Sequence, residues 1–184
     1  MSSPVNSVFD IAFWLADRAL NENEYLQPLK LQYLLYLSQS YYAIAYNGKK
    51  LFPAIFVAEE EGPIEPSLNR AWTRGRPNFD GIEKLNDNTK AFCDSIWRRF
   101  GHHSAEHLAK LCRKTPAYQI AYKIEKRAEI IFEQSTYEMS LGHELPELEQ
   151  VVKLKLVRSS NTGRAVEVKA WSPRQLEKKR KSTI

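Results

Sequence analysis

Between Pro28 and Tyr46 the chain carries apolar or aromatic residues on nearly every side of a helix. Leu31, Leu34, Leu35, Ser38 and Tyr42 recur at helical spacing. Leu37, Tyr41 and Ile44 widen that stripe, and Tyr33 and Tyr36 flank it. Pro28 stands where a helix starts and Asn47-Gly48 where one stops. A helix apolar around most of its circumference must be wrapped by other elements. The segment therefore predicts a mainly α protein: a compact helical domain around a central buried helix.

The flanking patterns supply the wrapping. A first helix is expected over 5–20, with Val8, Ile11, Ala12, Leu15 and Ala19 on one face, opened either by Ser7 and Asp10, spaced as a capping box, or earlier by Ser3-Pro4. Pro66 opens a helix through Trp72. Asn88 to Phe100 reads as another, with Ala91, Phe92, Ser95, Ile96 and Arg99 in helical spacing. Ser104 caps the next, carrying Leu108, Leu111 and Cys112. Thr115-Pro116 starts a longer one to about Gln134, anchored by Ile120, Ile124, Ile131 and Phe132.

Two stretches switch to a strand period. Ala54 to Ala58 is β-prone, followed by Glu59-Glu60-Glu61 and by Gly62-Pro63 as a breaker. After Pro146, residues 152–157 and 166–171 alternate around a short loop and read as a β-hairpin. A lone hairpin is marginal in water, so the two arms are expected to join 54–58 in one small antiparallel sheet. The domain reading is 1–146 as the helical domain. Residues 147–184 form the hairpin and a basic tail, packed on or extending from it.

The 184 residues suit one substantial core, and 43% hydrophobic with 11% aromatic content excludes disorder over most of the length. No run of about 18 apolar residues exists, so no membrane span is expected. Met1-Ser2-Ser3-Pro4 lacks the basic start of a signal peptide. Cys93 and Cys112 sit in apolar helical patterns and read as reduced core thiols, which points to the cytoplasm. The net charge of +5 is segregated: residues 151–184 hold ten Lys/Arg against two Glu, a charge of +8, and residues 1–150 carry −3. Such a tail attracts an acidic protein surface, nucleic acid or an anionic membrane surface, or stays a solvated polycation.

Several segments, taken in order, resemble the Panacea domain, an antitoxin family with SocA-like and GepA-like members. They are Val8-Phe9-Asp10-Ile11-Ala12, then Leu29-Lys30-Leu31-Gln32 with Leu34-Leu35-Tyr36 and Gln39. Gly48 with Leu51-Phe52, Gly62-Pro63-Ile64 with Pro66, and Phe100-Gly101 with Ser104-Ala105 and Leu108 follow. The resemblance spans about residues 5–120. It implies neutralisation of a cognate toxin by direct binding, with the toxin encoded nearby, and a structural role for Leu31, Gln32, Tyr36, Gln39, Gly62 and Pro63. The chain departs from the family pattern at Tyr33, where a second Lys is usual, and at Glu59 to Glu61, where an aromatic residue is usual. Tyr118 takes the place of the aromatic expected after Pro116. Where those positions touch the partner, the departures imply one unlike the commonest.

Candidate partner contacts are Lys30, Tyr33, Tyr41, Glu59, Glu60, Glu61, Trp171, Arg174, Lys178, Lys179 and Arg180. Each has a plainer alternative. Lys30 opposes the dipole of its own helix, which suggests a buried ion pair or a partner contact. The tyrosines are core packing or, where exposed, interface anchors. The glutamates are a solvated acidic turn or a contact for a basic toxin. Trp171 anchors a partner or covers the hairpin. Arg70, Arg74 and Arg76 around Trp72 stack on bases or end a solvated helix over a core tryptophan.

Enzymatic chemistry is not indicated. The seven glycines are scattered, without a phosphate-binding loop or a nucleophile elbow. His103 and His107 are four apart, but Gly101 to Ser104 places a helix start between them, so a metal site is not expected. No cofactor and no small-molecule substrate are anticipated. The alternative function is a nucleic-acid-binding regulator using the basic C-terminal segment.

Overall fold

Thirteen consecutive buried residues, Leu31 to Ala43, set the middle of the fold. They lie on α2 (Pro28–Ala45), opened by Pro28 at its first turn. The structure, a computed structural model, describes residues 3–46, 48–125, 127–130 and 145–152, and the backbone of 156–159 and 165–168. The protein is mainly helical with small two-stranded antiparallel sheets. Two compact units divide it, Met1–Val152 and Lys153–Ile184.

In the first unit, α1 (Val8–Asn21), α4 (Asp87–Phe100) and α5 (Ala105–Arg113) pack on α2. The α1 helix begins at Val8, later than its pattern suggests, because Ser7 is its cap and accepts from the Phe9 amide at 3.2 Å. Asp10 does not complete a capping box. It is buried, and its Oδ1 accepts from the Glu83 amide at 2.9 Å, tying the 73–86 loop to α1. The α3 helix (Pro66–Trp72) and α5 start as expected at Pro66 and after Ser104. On α4 the inward face is Phe92, Cys93, Ile96, Trp97 and Phe100, and Ala91 and Arg99 turn to solvent.

The sheet reading needs correction. Gly62-Pro63 does not simply break the chain: β1 (Val57–Glu59) pairs with β2 (Gly62–Ile64) in register Val57–Ile64, Ala58–Pro63 and Glu59–Gly62. Residues 127–130 take the other edge of β1. The Arg127 amide donates to Ala58 O at 3.0 Å, the Ala58 amide to Ala128 O at 2.9 Å, and the Ile130 amide to Phe56 O at 2.8 Å. Proline is tolerated in β2 because β2 is an edge.

That pairing also shortens the helix expected to reach Gln134. The α6 helix (Pro116–Ile124) ends where Glu125 turns extended, and the following residues exchange helical hydrogen bonds for strand ones. Its buried face is Ala117, Tyr118 and Ala121, so Ile120 and Ile124 are 60% and 76% exposed instead of being anchors. Ile131 and Phe132 lie outside the described residues. The last described element of this unit, α7 (Leu148–Val151), buries Val151, and Val152 beyond it is buried too.

In the second unit β3 (Leu156–Ser159) pairs antiparallel with β4 (Ala165–Val168), in register Leu156–Val168 to Ser159–Ala165. The expected antiparallel pair is present, with arms at 156–159 and 165–168 in place of 152–157 and 166–171; residues 153–155 and 160–164 lie outside the described residues. Among the described residues it does not share a sheet with β1, whose two edges are occupied by β2 and 127–130. No helix among the described residues is long and apolar enough to cross a membrane.

Candidate functional site

The two glutamines of α2 act as clamps. Buried Gln32 accepts from the Glu65 amide at 2.8 Å through Oε1 and donates to Glu65 O at 3.4 Å through Nε2. One amide side chain thus satisfies both backbone groups of the residue that caps α3. Glu65 in turn accepts from the Leu68 amide at 2.6 Å. Two turns along, Gln39 Oε1 accepts from the Leu51 and Phe52 amides at 3.1 and 3.4 Å, and Nε2 donates to Phe52 O at 3.4 Å. Buried backbone groups need such partners. Both loops are thereby sewn to α2.

The candidate tyrosines are internal. Tyr33 and Tyr41 are 1% and 0% exposed. Tyr41 donates to Pro146 O at 2.7 Å and packs its ring on Phe100. Tyr36 shares a 2.8 Å hydrogen bond with Thr115. Burial pushes the Tyr33 hydroxyl up to about 12 and raises those of Tyr36 and Tyr41 above the usual range. Lys30 is largely covered as well. Its ammonium lies 3.6 Å from Glu24 and 5.8 Å from the centre of the Trp97 ring, which is the ion-pair alternative.

The acidic triplet is different. Three successive carbonyls in the β1–β2 turn each accept from a different element. Glu59 O takes the Tyr118 hydroxyl from α6, Glu60 O takes the Arg113 guanidinium from α5 at 3.3 Å, and Glu61 O takes the Tyr33 hydroxyl from α2 at 2.8 Å. Gly62, at φ +141°, follows at once, and the Tyr33 ring lies against it. The carboxylate of Glu59 pairs with Arg127. Glu60 and Glu61 are exposed. The turn is thus held by its backbone, leaving two acidic side chains free to point outward. Next to it α6 packs on β1 and exposes Ile120 and Ile124. Sequence reasoning named the glutamates but missed Arg113 and the two isoleucines. No local pattern pairs Arg113 with a carbonyl 53 positions earlier.

The second basic cluster resolves into core and surface. Trp72 is buried, edge-on to Phe13 at 5.1 Å, and Arg76 lies over Phe13 and pairs with Asp17. Trp171, Arg174, Lys178, Lys179 and Arg180 lie outside the described residues. Among the described residues, no group of three or more His, Cys, Asp or Glu side chains could hold a metal ion. Both cysteines are unbonded and buried. In comparisons with known proteins, no family model, no curated protein and no solved structure matches the chain.

Proposed function

We propose that this chain is a cytoplasmic antitoxin that neutralises a cognate toxin by direct protein–protein binding. The observation that carries the reading is the β1–β2 turn, whose backbone is fixed at three consecutive carbonyls while Glu60 and Glu61 face solvent. A preorganised turn loses little freedom on binding, so its carboxylates can meet a basic surface at low entropic cost. Ile120 and Ile124, exposed on the helix that packs on β1, supply apolar area, which an interface needs at its centre. The Panacea-like residues Gln32, Gln39, Gly62 and Pro63 then build the scaffold, and the departures from that pattern at Glu59 to Glu61 fall on the contact surface.

The test is co-expression with the product of the adjacent reading frame. That product should arrest growth alone and lose its effect when this chain is present. Glu60→Lys with Glu61→Lys should restore the arrest while the chain still accumulates. A neighbour without toxicity, or a toxicity this chain leaves untouched, contradicts the proposal. Retention of DNA by the full chain at moderate salt, with loss of retention at high salt and no toxin binding, would favour the regulator reading instead.

A further inference from the structure

A cavity of about 460 Å³ opens on the first unit between the end of α4, the start of α5 and the 145–150 segment. Its walls are of two kinds. Phe100, Leu111, Leu145 and Pro146 supply apolar surface. Arg99, His103 and His107 supply cationic or protonatable nitrogen, and Gln150 adds an uncharged donor. The Pro146 edge is fixed by the Tyr41 hydrogen bond, so the cavity is built on the central helix.

His102, just outside, has acidic neighbours in Glu22 at 4.0 Å and Glu24 at 3.7 Å. Arg99, His103 and His107 have none within ion-pair distance among the described residues. The His103 and His107 rings lie 4.6 Å apart, a spacing that could suggest a metal. Arg99 beside them argues against a cation, and no third ligand stands among the described residues. The local field is positive enough to act on the histidine. Burial first, then His107, Arg99, His102 and Lys30, hold His103 below the usual histidine range. An anion entering the cavity would reverse those electrostatic contributions and be met by charge-assisted hydrogen bonds.

We propose that this cavity binds a small organic anion, a carboxylate or phosphate monoester on an apolar stem. The anionic head meets Arg99, His103 and His107, and the stem packs on Phe100, Leu111, Leu145 and Pro146. The site is independent of the acidic turn and stands whether or not the chain binds a toxin.

The experiment titrates the full chain with phenyl phosphate, benzoate, inorganic phosphate and benzyl alcohol, following the histidine ring resonances by NMR and the binding heat. Phenyl phosphate or benzoate should saturate, shift the His103 and His107 signals, and bind more tightly than inorganic phosphate or benzyl alcohol. Arg99→Gln and the pair His103→Gln with His107→Gln should each weaken binding about tenfold, the scale expected for losing a charged hydrogen bond. Circular dichroism and thermal melts check that these solvent-accessible substitutions leave the fold intact, and His107→Gln alone serves as the mildest variant. Absence of saturable binding by either aromatic anion overturns the proposal. Equal affinity in folded variants does so too, as does benzyl alcohol binding as tightly as the anions. Inorganic phosphate binding as tightly as phenyl phosphate overturns the apolar half of the site.

Discussion

The ring of Tyr33 occupies the space that a Cβ at Gly62 would need: that atom would fall 2.7 Å from Tyr33 Cε1, and Gly62 sits at φ +141°. The same tyrosine donates to Glu61 O, one residue before the glycine. Ring and glycine therefore fix the acidic turn together. Gly62→Ala meets both a steric and a backbone penalty and should destabilise the first unit by about 1–3 kcal/mol. Tyr33→Phe keeps the ring and loses only the hydrogen bond, for about 0.5–1.5 kcal/mol. Urea denaturation of the two variants checks the order; equal stability of Gly62→Ala and the parent would contradict the packing.

Gln39→Ala should cost about 1–3 kcal/mol, because it strands the Leu51 and Phe52 backbone groups in a buried setting. Gln32→Ala should cost a similar amount and also loosen α3, since the Glu65 amide loses its acceptor while Glu65 O keeps only the Asn69 amide. Hydrogen exchange should speed up at Leu51 and Phe52 in the first variant and at Glu65 in the second. Uniform acceleration across the chain would mean the glutamines are not local clamps.

Alkali should weaken the fold over the range in which the tyrosines of the unfolded chain have ionised and the buried ones of the folded chain have not. Burial raises Tyr33, Tyr42 and Tyr118 to about 12. The unfolded chain ionises these groups near pH 10, so their stabilisation is complete below about pH 10 and is lost as pH rises toward 12. Thermal melts across that window should show a falling midpoint. A flat midpoint would contradict the burial of these hydroxyls.

Neither cysteine should react with a thiol reagent in the native protein. Burial pushes Cys93 up to about 12 and Cys112 higher still, which removes the reactive thiolate, and both side chains are inaccessible. Both should label quickly in denaturant. Rapid native labelling of either would show that α4 or α5 opens.

The central helix was legible because nothing but burial accommodates apolar residues on every side. Pro66, Ser104 and Pro116 were legible as helix starts because capping is local. What local pattern could not show is competition between elements. The 127–130 segment reads as a continuation of α6 until β1 offers it an edge, and Ile120 and Ile124 read as anchors until smaller Ala117 and Ala121 take the inward face. At the candidate site, the acid run is visible in sequence. Its rigidity is not, since Tyr33, Arg113 and Tyr118 come from three separate helices.

The most direct test of the account is the affinity of the purified full chain for the purified product of the adjacent reading frame. It is measured for the parent and for Glu60→Lys with Glu61→Lys, after melts confirm that both are folded. The account predicts a stable complex with the parent and a loss of affinity of at least about tenfold in the variant, since reversing two charges against a basic surface replaces attraction by repulsion. No complex with the parent, or the same affinity in both, would contradict it.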